Sequence, residues 1–407
     1  MLQIGGPAVG RDFFDREEKI GEIFRSLKRN NILLISPRRY GKTSIMKEVI
    51  RRLSERGYLC LFLDIMYVDA PEQFLIELAT TAFDEASARR RFLQSLKGSF
   101  IRLGELLEEI EASVAGTGVK VKFRGGLRKE INENNWTERG RDIFDAIKNM
   151  SDKKPVYIVI DELSECIGNM IKKNKRDVRK FLQWFRSMRQ RTIEDLRFIV
   201  GGSVSFDRVV RGINGLSWIN DFERVPIGGF SREDALEFIK KRLNEEGLNY
   251  RRETGEKLLE LVGEPYVPFF IAILLEMTLR ESEGDLTEGI IEEVYSSKLL
   301  GADGKGYFEY YRSRLEEHYG EMMGLEEHYG EMMAKAAEKI LREVCIADEG
   351  LPKQLVFDLF REATGMDDER RFTDLIFELE NDFYIKVDGE NIRFQSKVLR
   401  DWWRLYG

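Results

Sequence analysis

Ile32-Leu-Leu-Ile-Ser-Pro-Arg-Arg-Tyr-Gly-Lys-Thr-Ser44 is an apolar run of strand length that passes through a glycine-lysine-threonine turn into a helical pattern over Thr43 to Leu53. The combination is that of a phosphate-binding loop. A strand fixes the loop, backbone N–H groups wrap the phosphate, and a helix starting at Gly41 adds the positive end of its dipole. Pro37, Arg38, Arg39, Tyr40 and Gly41 form such a loop. Lys42 supplies a mobile charge for the β- and γ-phosphates, the Thr43 hydroxyl is placed to ligate Mg²⁺, and Ser44 follows in the first helical turn. One position departs from GxxxxGK[ST]: Ser36 stands where the first glycine is usual, a small residue that weakens the match without abolishing it.

A second apolar run, Pro155-Val-Tyr-Ile-Val-Ile-Asp-Glu-Leu163, ends in adjacent carboxylates. Beside a phosphate loop this is what a Walker B strand requires: Asp161 to hold Mg²⁺ through its water shell, Glu162 to orient and deprotonate the attacking water. The bland alternative is a buried strand that ends in a solvated acidic turn. Tyr58 to Ile65 and Leu196 to Ser205 are further candidates for strands buried on both faces of a parallel sheet, and Phe222 to Ile227 is the last. Asp64 sits near one carboxyl end, where open α/β sheets place ligands, although a turn role is as common there. If the Leu196 strand lies beside the phosphate-loop strand, Ser203 or Ser205 is in place to sense a γ-phosphate. Arg208 and Arg211, just beyond, are candidate arginine fingers or simply solvated arginines.

The chain has 407 residues, enough for two or three domains. Sixty-five basic against 72 acidic residues give a net charge of −7, which does not suggest a dedicated nucleic-acid coat or a polybasic membrane protein. Cys60, Cys166 and Cys345 are odd in number and far apart, as in a reduced cytoplasmic protein without structural zinc. The amino-terminal MLQIGGPAVGRDFF lacks a signal pattern, and Val267 to Leu275 is too short to span a bilayer, so no membrane association is expected. Charged residues reach 34% while glutamine is scarce, a balance seen in thermophile proteins.

Before the loop, Asp15 is a plausible cap for a helix whose apolar face is Ile20, Ile23, Phe24 and Leu27. The preceding Val9, Gly10 and Arg11 are placed to close over the base of a nucleotide. Residues 71 to 112 read as helices. Val119-Lys-Val-Lys-Phe123, flanked by glycines, alternates like an exposed strand and suggests a hairpin insertion near 113–127. From Ser231 strands give way to helices, with a break at Gly263-Glu-Pro265; Pro265 is positioned to face an adenine. Gly301-Ala-Asp-Gly-Lys-Gly306 reads as a flexible joint.

Beyond it, LEEHYGEMMG at 315–324 is followed by LEEHYGEMMA at 325–334, holding both histidines, His318 and His328. Ten residues turn an α-helix by about 1000°, about 80° short of whole turns, so the copies cannot present one face and a metal site is disfavoured. The remainder reads as three helices, a hairpin across Asp388-Gly389 and a closing helix, the plan of a winged helix. Residues 335–407 hold twelve Lys and Arg against sixteen Asp and Glu, a net of −4, which disfavours DNA as its partner. Trp402-Trp403 reads as an exposed aromatic end fit for protein contacts.

The expected boundaries are therefore an ATPase core over 1–229, a helical lid over 230–300, a linker helix with the repeat over 301–334, and a winged-helix domain over 335–407. FFDREEK at 13–19, SPRRYGKTS at 36–44, VYIVIDEL at 156–163, GGS at 201–203, GEP at 263–265 and the ending RFQSKVLRDWWRLY together resemble the archaeal ATPase family of AAA+/STAND P-loop NTPases, relatives of origin-recognition ATPases. The resemblance covers most of the chain. It implies the AAA+/ASCE strand order, a helical lid, ATP and Mg²⁺ as ligands, ATP hydrolysis that is slow without a partner, and a nucleotide-driven rearrangement or assembly with a protein partner or with itself. A DNA-binding initiator, loader or mobile-element helper is the alternative. No arginine follows Gly263-Glu-Pro265 where origin-type relatives keep a lid sensor, which puts sensing by that route in doubt.

Overall fold

Every residue of Val156–Asp161 is buried, and this strand, β3, is the second in the spatial order of a five-stranded parallel sheet. The computed structural model describes residues 6–14, 16–97, 117–151, 154–202, 206–282, 286–315 and 327–407. The strands β1 (Asn31–Ile35), β2 (Cys60–Asp64), β3, β4 (Leu196–Gly202) and β5 (Phe222–Pro226) lie in the order β2-β3-β4-β1-β5. Their near-continuous apolar runs are what strands covered on both faces need. β1 pairs on one side with β4, Leu34 opposite Gly201 and Ile35 opposite Gly202, and on the other with β5. The Asn31 side chain, 2% exposed, accepts from the backbone N–H of Phe198 at 3.0 Å and fixes that register at the sheet's far end.

The chain divides into two compact units. The sheet unit comprises Arg16–Ser36 and Lys42–Ile227. In it α1 is Glu17–Ser26, α2 Lys42–Glu55, α3 Pro71–Asp84, α4 Arg89–Lys97, α5 Thr117–Glu130, α6 Trp136–Lys148, α7 Leu163–Lys173, α8 Lys175–Arg191 and α9 Phe206–Arg211. Phe74 of α3 and Phe181 and Phe185 of α8 are wholly buried, each worth about 2–3 kcal/mol of burial. Gly140 of α6 lets α8 approach: a Cβ there would stand 2.3 Å from the Trp184 ring. Arg189 of α8, fully buried, donates twice to Asp221 and once to the Trp218 carbonyl, with its guanidinium between the rings of Phe185 and Phe222. Burial lowers its pKa and the Asp221 carboxylate opposes that shift, so the pair ties the β4–β5 connection to α8 at the usual cost of desolvating two charges.

The hairpin expected near 113–127 is not formed where the chain is described. Residues Thr117–Glu130 are helix α5, and 113–116 lie outside the described residues. Phe123, Gly126 and Leu127 are buried at i, i+3 and i+4, and Phe123 stacks on Phe83 with centroids 4.4 Å apart. Burial with a 3.6-residue period overrode both the local alternation and the weak helix propensity of two glycines. Asp15, the expected helix cap, is outside the described residues; α1 follows Arg16, whose φ is 103°.

The second unit comprises Met1–Asp15, Pro37–Gly41 and Gly228–Gly407. Its helices are α10 (Arg232–Glu245), α11 (Arg252–Val262), α12 (Pro268–Glu281), α13 (Glu288–Glu293), α14 (Ala302–Arg314), α15 (Glu327–Val344), α16 (Lys353–Thr364), α17 (Glu369–Asn381) and α18 (Lys397–Tyr406). Ser231 and Asp234 close α10 with a reciprocal capping box. Strands β6 (Leu351–Pro352), β7 (Ile385–Asp388) and β8 (Asn391–Phe394) form an antiparallel sheet in the order β6-β8-β7.

Gly301 to Gly306 is no joint but the entry to α14, preceded by a π-helical turn, Val294–Leu299. The glycines serve close approach: a Cβ on Gly301 or Gly304 would stand 2.0 Å from the Ser297 carbonyl oxygen or 1.7 Å from that of Leu299. Tyr295, in that turn, donates to Asp401 of α18 at 2.7 Å, and Lys397 reaches the same carboxylate oxygen at 2.6 Å. Trp402 and Trp403 are not exposed. Each is 1% accessible, Trp402 stacked on Phe308 and Trp403 edge-on to Tyr384, because α18 turns both indoles into the unit's core. Of the tandem repeat, 316–326 lie outside the described residues; Glu327 begins α15. Among the described residues no helix is long and apolar enough to cross a membrane.

Candidate functional site

The carboxyl ends of β1, β3 and β4 meet where the sheet order reverses, the place open α/β sheets offer to ligands. There α2 starts with Lys42 and β3 ends with Asp161. The Thr43 hydroxyl donates to Asp161 Oδ2 at 2.6 Å. Lys42 Nζ stands 3.3 Å from Asp161 Oδ1 and 3.3 Å from Glu162 Oε1, so the ammonium bridges the two carboxylates. Asp161 Oδ1 also accepts from the Glu162 backbone N–H at 3.0 Å. Asp161 is 3% exposed, and a buried carboxylate is tolerated only with such donors around it.

Two neighbours shape the space. Glu162 precedes α7 in the left-handed region, φ 58°, a conformation that costs a side-chain-bearing residue about 1–2 kcal/mol and turns its carboxylate off the strand line. Gly201 of β4 faces Asp161: a Cβ there would stand 2.6 Å from Asp161 Oδ1 and 3.2 Å from Lys42 Cε. Gly201 is therefore part of the site, missed by sequence reasoning. Adjacent glycines interrupting a buried strand were the signal, since they mark a close approach.

In the loop between β1 and α2, Arg39 has φ 71° and Gly41 φ 87°, whereas Ser36 is not among the residues of positive φ. Alternation of this kind turns successive N–H groups toward one point, an anion nest. Ser36 is 2% exposed and lies in backbone that any L-residue adopts, which accounts for the missing glycine. The donor set, one hydroxyl and buried carboxylate oxygens, suits a hard cation that keeps most of its water, as Mg²⁺ does.

Lys42, Thr43, Asp161 and Glu162 are thus brought together, and Ser44 is buried one residue further along α2. Ser203 and Ser205 lie outside the described residues, although β4 does lie beside β1. Arg208 and Arg211 are on the short helix α9, Arg211 exposed. Asp64 is exposed and accepts from the Met66 backbone N–H at 3.2 Å, the turn role. Pro37, Arg38, Arg39 and Tyr40 belong to the second unit, as do Val9, Gly10, Arg11 and Pro265. There Val9 is exposed, Gly10 opens a short 3₁₀ turn, and Phe14 packs edge-on to Phe230 and Phe238. Phe230 bridges to Tyr266, next to Pro265.

A parallel sheet in this order, with a lysine and a threonine after β1 facing a carboxylate pair at the end of β3, defines a P-loop NTPase. The chain belongs to the family described as ATPase domain predominantly from Archaea, which matches residues 13–245, and it is an ATPase that hydrolyses ATP. No curated protein matches it in sequence. Among solved structures, a Walker-type ATPase of Pyrococcus abyssi is 17% identical with a TM-score of 0.59, the match covering 99% of this chain and 100% of that one. The ORC2 protein of Aeropyrum pernix, solved as ADPNP-ADP complexes, is 12% identical with a TM-score of 0.52, covering 97% and 95%. These likenesses are of fold.

Proposed function

We propose that the protein is a Mg²⁺-dependent ATP switch of the STAND kind, in which the nucleotide state sets the arrangement of domains or their assembly with a partner or a second copy. The observation that carries this reading is the contact of Thr43 with Asp161 at 2.6 Å beside Lys42, which places metal-type oxygens, a phosphate-type cation and a second carboxylate within one hydrogen-bonded set. Mg²⁺, held by Thr43 and by Asp161 through water, would supply charge to the β- and γ-phosphates. Lys42 then leaves its carboxylates for those phosphates, and Glu162 accepts a proton from the attacking water. Residues 37–41 wrap phosphate through their N–H groups, Val9 to Arg11 and Pro265 take the base, and Ser203 and Arg208 are the remaining candidates for contact with the γ-phosphate.

In this reading residues 1–229 are the ATPase core, 230–300 the lid, 301–334 a linker and 335–407 a winged helix. The helix and strand order from α15 to α18, with β6-β8-β7, supports the last of these. A cytoplasmic location fits a nucleotide switch. The net charge of −4 over 335–407 favours a protein partner over DNA. The test is the ATPase rate and the size distribution with Mg²⁺ and ATP, with ADP and without nucleotide. A slow basal rate and a nucleotide-dependent change in hydrodynamic size are expected; one size in all three states would reject the switch. Submicromolar, salt-dependent binding of duplex DNA by anisotropy would favour the initiator reading instead.

A further inference from the structure

The phosphate-binding loop carries two large side chains that its chemistry does not require, and both are held by aromatic rings from distant parts of the sequence. The Arg39 guanidinium lies 4.0 Å from the ring centre of Phe269 at the start of α12 and 5.8 Å from that of Tyr311 on α14. Tyr40, 3% exposed, meets Phe383 edge-on with centroids 5.0 Å apart. The rings are themselves tied together. Tyr307 packs on Phe269, and the Tyr384 hydroxyl donates to the Tyr311 carbonyl at 2.6 Å.

Strain collects on these residues. Arg39 and Phe383 both have φ of 71°, a region that disfavours residues with a Cβ, bulky ones in particular. Residues held so are those the surroundings over-determine. Arg39 needs that conformation for the loop to alternate into an anion nest with Gly41, and the flat guanidinium stacks on a ring as a lysine ammonium cannot.

We infer that Phe269, Tyr311 and Phe383 position the phosphate-binding loop through Arg39 and Tyr40, so that these three rings set how long a nucleotide stays bound. Arg39 and Tyr40 are positioning residues, and the rings hold the loop in its phosphate-ready conformation before any nucleotide arrives. The inference rests on the reading that this loop takes phosphate, and it adds a control of that loop by residues far along the chain.

The experiment is a double-mutant cycle on the full chain with Arg39→Lys, which keeps the charge but not the stacking, and Phe269→Leu, which keeps apolar bulk but not the ring. Release of mant-ADP is followed by stopped flow, and amide exchange of residues 37–41 is measured in the nucleotide-free protein. Each single change should speed release by about 3- to 10-fold and raise exchange, and the double variant should be no faster than the faster single. Phe269→Tyr, which retains a ring, should restore the parental rate. Multiplicative effects, or parental release in Phe269→Leu, would overturn the inference, the latter even if Arg39→Lys is fast, since arginine would then act on the nucleotide directly. A parent that takes up no mant-ADP would defeat the nucleotide-site reading, and loop exchange without nucleotide would still decide the ring contact.

Discussion

The Thr43 hydroxyl and Asp161 Oδ2 are 2.6 Å apart across 118 residues of sequence, and this one hydrogen bond joins the start of the loop helix to the end of the strand two places away in the sheet. Thr43→Val keeps the shape and removes the donor. Mg²⁺-dependent hydrolysis should fall by about 10-fold or more, while nucleotide binding in EDTA stays near the parental value. Equal losses of binding with and without Mg²⁺ would assign Thr43 to the phosphates and not to the metal.

Glu162→Gln preserves size and hydrogen bonding and removes the basic carboxylate. Affinity for Mg·ATP should survive and phosphate release should drop by about 10²-fold or more. Lys42→Ala, which strips positive charge from the same place, should weaken binding as well. Hydrolysis by Glu162→Gln at the parental rate would show that another group accepts the proton.

Gly201→Ala places a methyl 2.6 Å from Asp161 Oδ1, so the carboxylate must move. At Gly202 the nearest atom, Phe206 Cβ, is 3.3 Å away and the change is milder. The expected outcome is a stability loss of about 1–3 kcal/mol for Gly201→Ala in urea, with turnover reduced well beyond that of Gly202→Ala. Unchanged activity would mean that the Asp161 position is not critical.

Glu48, buried on α2, accepts from Arg51 and Arg52, and the Arg51 hydrogen bond, with help from Arg52 and against burial, holds its carboxyl below its ordinary value of 4.5. A carboxyl depressed in the folded state contributes stability above pH 4.5 that is lost as pH falls through the lower folded value. The urea midpoint of Glu48→Gln should therefore lie below the parent's at pH 7, and the gap should narrow toward pH 3. A gap that does not change with pH would trace the effect to packing.

The five strands and the carboxylate pair could be read from the sequence because strands covered on both faces are uninterrupted apolar runs, and β3 ends in Asp161 where the run stops. The helix over 117–130 could not. Val119, Val121 and Phe123 alternate locally, and only the burial of Phe123 and Leu127, with Phe123 stacked on the sequence-distant Phe83, decides for helix. The indoles of Trp402 and Trp403 misled for a related reason: a chain-terminal position suggests exposure, and nothing local says that Phe308 and Tyr384 wait beneath them. The left-handed backbone at Arg39 leaves no trace in residue type at all.

Ser36 sits in backbone open to any L-residue while Gly41, at φ 87°, does not. The glycine demand of this loop is therefore lodged at the second glycine position of the motif, and the first accepts a side chain small enough for a site 2% exposed. A loop like this one is overlooked by any letter pattern that insists on both glycines, and recovered by one written in dihedral angles and side-chain volume.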